Sequence, residues 1–204
     1  GEAIPDPYRW LEDGESTDTR QWTDAQNALT RSYLDAVPAR ERIRTRLDQL
    51  LAISALSVPT PVRGRYFYLR RDGRQNQPVL YLRQGIRGED RPIVDPNTLD
   101  AGGTVALDWY YPSDDGRLLA YGLSENGSEQ SVMQVMDVDA GVLMPERIPH
   151  TRAADLAWLP DATGFYYTRY PSPGQAPEGE EHYHRVIHFH RLGTDPTEDP
   201  LVFK

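Results

Sequence analysis

Residues 110–118 read Tyr-Tyr-Pro-Ser-Asp-Asp-Gly-Arg-Leu, and residues 158–166 read Trp-Leu-Pro-Asp-Ala-Thr-Gly-Phe-Tyr. Pro112, Gly116 and Leu118 recur as Pro160, Gly164 and Tyr166, each 48 positions on, and Tyr110 is matched by Trp158. Both stretches set an apolar, aromatic run on each side of a turn rich in Pro, Asp and Gly, which is the pattern of a β-hairpin. The apolar run at 79–82 has a counterpart starting at Ser131, 52 positions later. A period near 50 residues with about four short strands per unit suits a propeller blade, and roughly three such units fit between residues 58 and 204. Periodicity alone leaves a β-sandwich with accidental spacing open.

Working outward, short runs rich in Tyr, Val and Leu predict strands over 65–70, 78–83, 105–111, 117–123, 131–138, 154–159, 164–169 and 185–192. Before them the spacing changes. Trp22, Ala25, Leu29, Tyr33 and Ala36 recur at steps of three or four, predicting a helix over 16–36 with Ser16 as N-cap and Asp18 near its positive end. A second helix is expected to start near Pro38, with Ile43, Leu47, Leu50 and Leu51 on one side. The boundary falls near residues 54–60, dividing a helical segment, 1–57, from a β region, 58–204. Three propeller units would leave the two outer sheet faces unpaired, so the β region reads as part of a larger ring.

The 31 acidic and 22 basic residues give a net charge of -9, which repels a phosphate backbone and argues against nucleic acid as a partner. No apolar run approaches the roughly 18 residues of a membrane-spanning helix, and residues 1–20 do not resemble a signal peptide. With 38% hydrophobic residues and a mean hydropathy of -0.66, the expectation is a soluble globular chain, cytoplasmic or periplasmic. The absence of cysteine excludes disulfides, thiolate nucleophiles and thiolate metal sites.

Four candidate chemistries stand out. Ser124, in Gly122-Leu123-Ser124-Glu125-Asn126-Gly127, lies one residue out of register with a Gly-x-Ser-x-Gly elbow, and the elbow needs a helix after the serine where a strand is expected, so it reads as a hairpin turn. His182, His184, His188 and His190, with Glu178, Glu180 and Glu181, suggest a metal. Because Ile187 and Phe189 would take the opposite face, His188 and His190 read better as the polar side of a half-buried strand, and no metal or cofactor is expected. Asp114, Asp115, Asp155 and Asp161 sit where turns favour residues that bond their own backbone. Tyr66, Tyr68, Tyr81, Tyr110, Tyr111, Tyr121, Tyr166 and Tyr167 form a binding surface only if their strand context is ignored. The Pro171–Glu181 stretch reads as an exposed acidic insertion in the third unit.

Asp6-Pro7-Tyr8-Arg9-Trp10-Leu11-Glu12-Asp13, followed by Trp22, Gln26 and Asn27, resembles the amino-terminal signature of the prolyl oligopeptidase family of serine peptidases. Further likeness lies, in the expected order, in Asp95-Pro96-Asn97, Gly103 to Leu107, Tyr121 to Ser124, Gly164 to Tyr167 and His190 to Thr194. The resemblance implies a mainly β chain. In it, an N-terminal helical segment packs on an α/β-hydrolase domain and is followed by the first three blades of an incomplete seven-bladed β-propeller. It implies post-proline cleavage of short peptides by the whole enzyme. The propeller would filter substrates by size, and the Ser, Asp and His would all lie in the later hydrolase domain, so no catalytic residue falls here and the chain alone would be poorly soluble and inactive. The partners implied are proline-containing peptides, the hydrolase domain and the remaining blades. Glu129 matches a usually acidic position facing the substrate cavity. Ala153 and Ala154 stand where the family often carries an aromatic pocket residue. Oligopeptidase B shares the Asp-Pro-Tyr-Arg-Trp opening, but Ala25-Gln26-Asn27 and His190 to Thr194 look more like the prolyl enzyme. A stand-alone propeller interaction module is the reading from another class.

Overall fold

A computed structural model describes residues 4–172, 174–177, 180 and 182–204, and these divide into two compact units, Gly1–Leu51 and Ala52–Lys204. The first unit holds helices α1 (Thr17–Leu34) and α2 (Arg40–Leu51), preceded by a short 3-10 turn, Arg9–Glu12. Ser16 caps α1: its Oγ accepts the Thr19 N–H at 3.2 Å, filling one of the free donors of the first turn. Thr19 in turn donates to the Trp10 carbonyl, and the Trp10 and Trp22 rings meet edge to face at 6.3 Å. The apolar stripe foreseen on α2 is real but open to solvent. Leu34, Val37, Ile43, Leu47 and Leu51 line a groove of about 420 Å³, and none of them is buried.

The second unit is wholly β. Strands β1 (Ala55–Leu56), β2 (Thr60–Val62), β3 (Arg65–Arg71), β4 (Val79–Gln84) and β5 (Asp90–Val94) form the first sheet, in which β1 and β2 both pair with β3. Strands β6 (Val105–Pro112), β7 (Leu118–Glu125), β8 (Val132–Asp137) and β9 (Val142–Ile148) form the second. Strands β10 (Leu156–Trp158), β11 (Gly164–Arg169), β12 (Val186–Arg191) and β13 (Leu201–Phe203) form the third. The second and third sheets are antiparallel meanders in sequence order, and in the first β3, β4 and β5 follow one another in the same way.

The second sheet is packed on both faces. Leu107, Leu119, Tyr121 and Met136 join Phe67, Leu80, Leu82 and Val94 of the first sheet, while Ala120, Met133, Val135 and Ile148 join Phe165 and Tyr167 of the third. Alternation along β7 sends Leu119 and Tyr121 one way and Ala120 the other, so a single strand feeds both cores. Arg65 closes the first seam, donating to the Gly116 carbonyl at 3.0 Å and pairing with Asp139 at 2.8 Å, and this bond holds the Asp139 carboxyl below its usual range.

The hairpin repeat is 46 residues rather than 48. Ser113 N–H donates to the Leu118 carbonyl, and 46 positions later Leu159 N–H donates to that of Gly164. Asp115 accepts the Arg117 N–H, as Asp161 accepts that of Thr163. Gly116 therefore corresponds to Ala162, both left-handed (φ 70° and 54°). Gly164 is glycine for another reason: a Cβ there would lie 2.4 Å from the His190 carbonyl oxygen.

Gly122 is constrained most tightly, since a Cβ would meet the Trp109 indole at 2.4 Å. That indole donates to the Thr151 carbonyl at 3.0 Å and so anchors the connection from β9 to β10. Gly122→Ala will destabilise the second unit by roughly 1–3 kcal/mol through overpacking. Chemical denaturation with Trp fluorescence as the probe checks this, and an unchanged midpoint would show that the indole moves aside freely.

Candidate functional site

Three loops at one end of the second and third sheets are tied together: 126–131 between β7 and β8, 149–155 between β9 and β10, and the described part of 170–185 between β11 and β12. Thr151 links the first two. Its N–H and its Oγ1 both donate to the Ser131 carbonyl, at 3.1 and 2.9 Å. The third loop joins through Tyr170 N–H, which donates to the His150 carbonyl at 2.9 Å, and through Arg185, which donates to the Ala153 carbonyl at 2.7 Å and lies 3.6 Å from Asp155. Five of the seven described non-glycine residues with positive φ sit here: Asn126, Glu129, His150, Ala153 and His184. Backbone of that kind costs free energy and persists where its surroundings hold it, a circumstance common at functional loops.

Glu129 is on this surface, with φ 57° and its side chain 65% exposed, and it pairs with Arg152 of the adjoining loop. Arg152 carried no sequence signal: a lone arginine between two β units is ordinary, and only the fold brings it across to Glu129. Ala153 is exposed beside it while Ala154 is buried. Burial, with the Arg169 charge added, holds the His150 imidazole below its ordinary range, so this ring stays neutral in the group. Next to the same turn a cleft of about 500 Å³ opens, lined by Leu99, Leu123, Glu125, Gln130, Gln134 and Arg147 among others.

The other sequence candidates resolve structurally. Ser124 is buried on β7 and donates to Asp108 at 3.0 Å, as Ser131 does at 2.5 Å; a strand follows it, and no histidine bonds this group among the described residues. Asp115 and Asp161 accept backbone N–H groups within their own turns, and those bonds hold both carboxyls below the usual range. Tyr68, Tyr81, Tyr121 and Tyr167 are core residues, whereas Tyr166 is exposed.

The histidines divide. His182 and His184 are exposed, His188 is half-buried and donates to the Asp199 carbonyl, and Glu178 and Glu181 lie outside the described residues. His190 departs from the expectation of a polar face on a half-buried strand: it is fully buried, because it pairs with Phe165 on the face that packs against the second sheet. No described group of three or more carboxylates and imidazoles is arranged to hold a metal ion.

The family model for the prolyl oligopeptidase N-terminal beta-propeller domain matches residues 1–204. Prolyl endopeptidase of Elizabethkingia meningoseptica is 33% identical over 205 residues, 99% of this chain and 28% of that protein. Prolyl oligopeptidase A of Galerina marginata is 32% identical over 231 residues, 98% of this chain and 31% of that protein. Among solved structures, one described as an analysis of two prolyl endopeptidases and of inter-domain dynamics superposes with a TM-score of 0.90 at 35% identity, over 98% of this chain and 30% of that one. Prolyl oligopeptidase B of Galerina marginata, bound to a 35mer hydrolysis and macrocyclization substrate, superposes with a TM-score of 0.80 at 25% identity, over 98% and 31%. The chain thus spans a little under a third of the length of these relatives.

Proposed function

Because the chain belongs to the prolyl oligopeptidase family, we propose that it is the N-terminal part of a serine endopeptidase that cleaves short peptides after proline. In this reading residues 1–57 pack on an α/β-hydrolase domain elsewhere in the polypeptide. Residues 58–204, with β1 (Ala55–Leu56) added to their first sheet, are the first three blades of a seven-bladed propeller, one sheet per blade. The catalytic Ser, Asp and His belong to the hydrolase part, and the blades limit which substrates reach them by size.

The observation that carries the proposal is that the likeness runs the whole chain, 98–99% of it in both sequence and structure, rather than resting on one motif. Two physical features agree with it. The helices expose large apolar side chains, among them Leu29, Tyr33, Ile43 and Leu51, which a domain of this hydrophobicity covers when a partner is present. On the outer face of the third sheet, Tyr166 is exposed although its ring packs on Phe189 at 5.1 Å, as a blade awaiting its neighbour would be.

Within this reading Glu129 faces the substrate cavity and attracts a peptide's free amino terminus, with Arg152 holding the carboxylate in place. For the full-length gene product, Glu129→Gln will raise KM about two- to fivefold for a peptide with a free amino terminus, the scale of an exposed charge pair. It will leave kcat and the KM of the N-blocked peptide unchanged. An equal rise for both peptides would remove Glu129 from amino-terminus recognition. Hydrolysis of post-proline against post-arginine and post-lysine reporters by the full-length product tests the activity itself.

A further inference from the structure

The turn between β9 and β10 is anchored at both ends and loosely held in the middle. At its start, Thr151 donates twice to the Ser131 carbonyl, and its own carbonyl accepts the Trp109 indole N–H and the Ala154 N–H. At its end, Ala154 is buried, and Asp155 exchanges bonds with Thr168 of β11: Asp155 N–H donates to Thr168 Oγ1 at 2.9 Å, and Thr168 N–H donates to the Asp155 carbonyl at 3.0 Å. Between these anchors lie Arg152 and Ala153. Ala153 is held at φ 45°, a conformation that costs free energy in any residue with a Cβ. Among the described residues the backbone of this pair takes part in one hydrogen bond, and Arg185 supplies it, donating from Nη1 to the Ala153 carbonyl at 2.7 Å.

Arg185 stands one residue before β12, so the hold on the turn comes from the third sheet. Its Nη2 lies 3.6 Å from the Asp155 carboxylate, and the guanidinium carbon lies 5.9 Å from the centre of the Tyr170 ring. The planar fork thus reaches the residues on either side of Ala154 at once, which a flexible ammonium would not do with the same precision. Arg152, adjacent to the carbonyl that Arg185 grips, pairs with Glu129 on the loop of the second sheet. Glu129 has φ 57° and an exposed side chain, and Arg152 is the partner that fixes it. A continuous line of contacts therefore runs from Arg185 through Ala153 and Arg152 to Glu129.

We propose that Arg185 is a positioning residue for peptide binding: by fixing the Ala153 carbonyl it presents Arg152 to Glu129 and so orients the carboxylate that receives the peptide's amino terminus. This rests on the reading of Glu129 given above. Without Arg185, Ala153 relaxes toward negative φ, Arg152 swings with it, and Glu129 loses its preferred orientation. The direction of the effect separates positioning from a change of field. Removing a cation near the cavity would by itself favour an ammonium group and lower KM, whereas a misoriented carboxylate raises it.

The test compares two peptides that differ only in a free or blocked amino terminus, hydrolysed by the full-length gene product. Arg185→Met will raise KM about two- to threefold for the free peptide, within the scale of an exposed charge pair. It will leave kcat and the KM of the blocked peptide unchanged. Arg185→Lys, which keeps the charge and one donor for the Ala153 carbonyl, will restore most of the loss. In the double variant with Glu129→Gln, KM will stay within about 1.5-fold of Glu129→Gln alone, because both changes act on one contact. A free-peptide KM that is unchanged or lowered in Arg185→Met, while Glu129→Gln raises it, overturns the proposal, as do two effects that multiply in the double variant.

A Glu129→Gln variant that treats the two peptides alike removes the amino-terminus reading instead. Hydrogen exchange measured by mass spectrometry then decides whether Arg185 sets the turn. In Arg185→Met, peptides covering 150–155 will exchange at least about fivefold faster relative to those from 65–84, whose unchanged protection shows that the fold is intact. Exchange of 150–155 at the wild-type rate overturns the role of Arg185 whatever the kinetics show.

Discussion

The full-length gene product will hydrolyse a chromogenic peptide after proline, and the 204-residue chain prepared by itself will not exceed the rate in buffer. The gap is expected to be at least about a millionfold, the lower end of what enzymes achieve over the uncatalysed reaction. Peptide-bond cleavage by serine needs a nucleophile, a base that takes its proton and donors for the oxyanion, all within hydrogen-bond reach. The serine whose sequence context came nearest to a nucleophile elbow, Ser124, meets the Asp108 carboxylate, which also binds Ser131, and among the described residues no imidazole joins them. Cleavage that copurifies with the 204-residue chain and disappears in a Ser124→Ala variant would overturn the division of labour proposed here. The same preparation will bind a hydrophobic dye strongly through the open faces of α1 and α2, and weak binding would mean that those faces are covered without a partner.

The largest stability effect is expected at Phe165. It is fully buried on β11, in edge contact with Trp158 at 5.0 Å and Tyr167 at 5.7 Å, and it lies against His190. Phe165→Ala will cost about 3–5 kcal/mol, the range for removing a core aromatic ring where the walls cannot collapse. Collapse is opposed on each side. Trp158 is tethered through its indole N–H to the Tyr111 carbonyl at 3.0 Å, and Tyr167 through its hydroxyl to Asp199. Desolvation, reinforced by the Asp199 bond, raises the Tyr167 hydroxyl well above the ordinary phenol range, so the tether stays protonated at any pH the fold tolerates. Denaturant unfolding followed by tryptophan fluorescence measures the loss. A cost under about 1 kcal/mol would mean that the second and third sheets are joined by their polar contacts rather than by this core.

Strands with both faces packed were legible in the sequence, and of the edge strands only β6 and β10, whose aromatic runs enter the repeated hairpin, were legible too. Runs such as Val79–Gln84 and Leu118–Glu125 are apolar because each face has a core to meet. The strands absent from the sequence prediction, β1, β2, β5, β9 and β13, all lie at sheet edges. There one side of the ladder is free, so Pro61, Pro92 and Pro145 are accommodated and alternation is weak. The hairpin repeat was visible but two residues out of register. Proline and glycine letters were aligned, whereas the fold repeats the hydrogen bonds of the turn, which Ala162 satisfies in a left-handed conformation as well as Gly116 does.

By itself the sequence determined the helix-then-strand order, the repeated hairpin and, through motifs spread along the chain, the family, because these depend on local periodicity and on letters in order. Tertiary structure alone decided which distant side chains meet. It brought Arg152 to Glu129, sent Trp109 to Thr151 and buried His190 between Asp199 and Glu146. Whether a strand's polar face meets water or another sheet depends on packing partners many residues away, and no local pattern in His188-Phe189-His190 distinguishes the two.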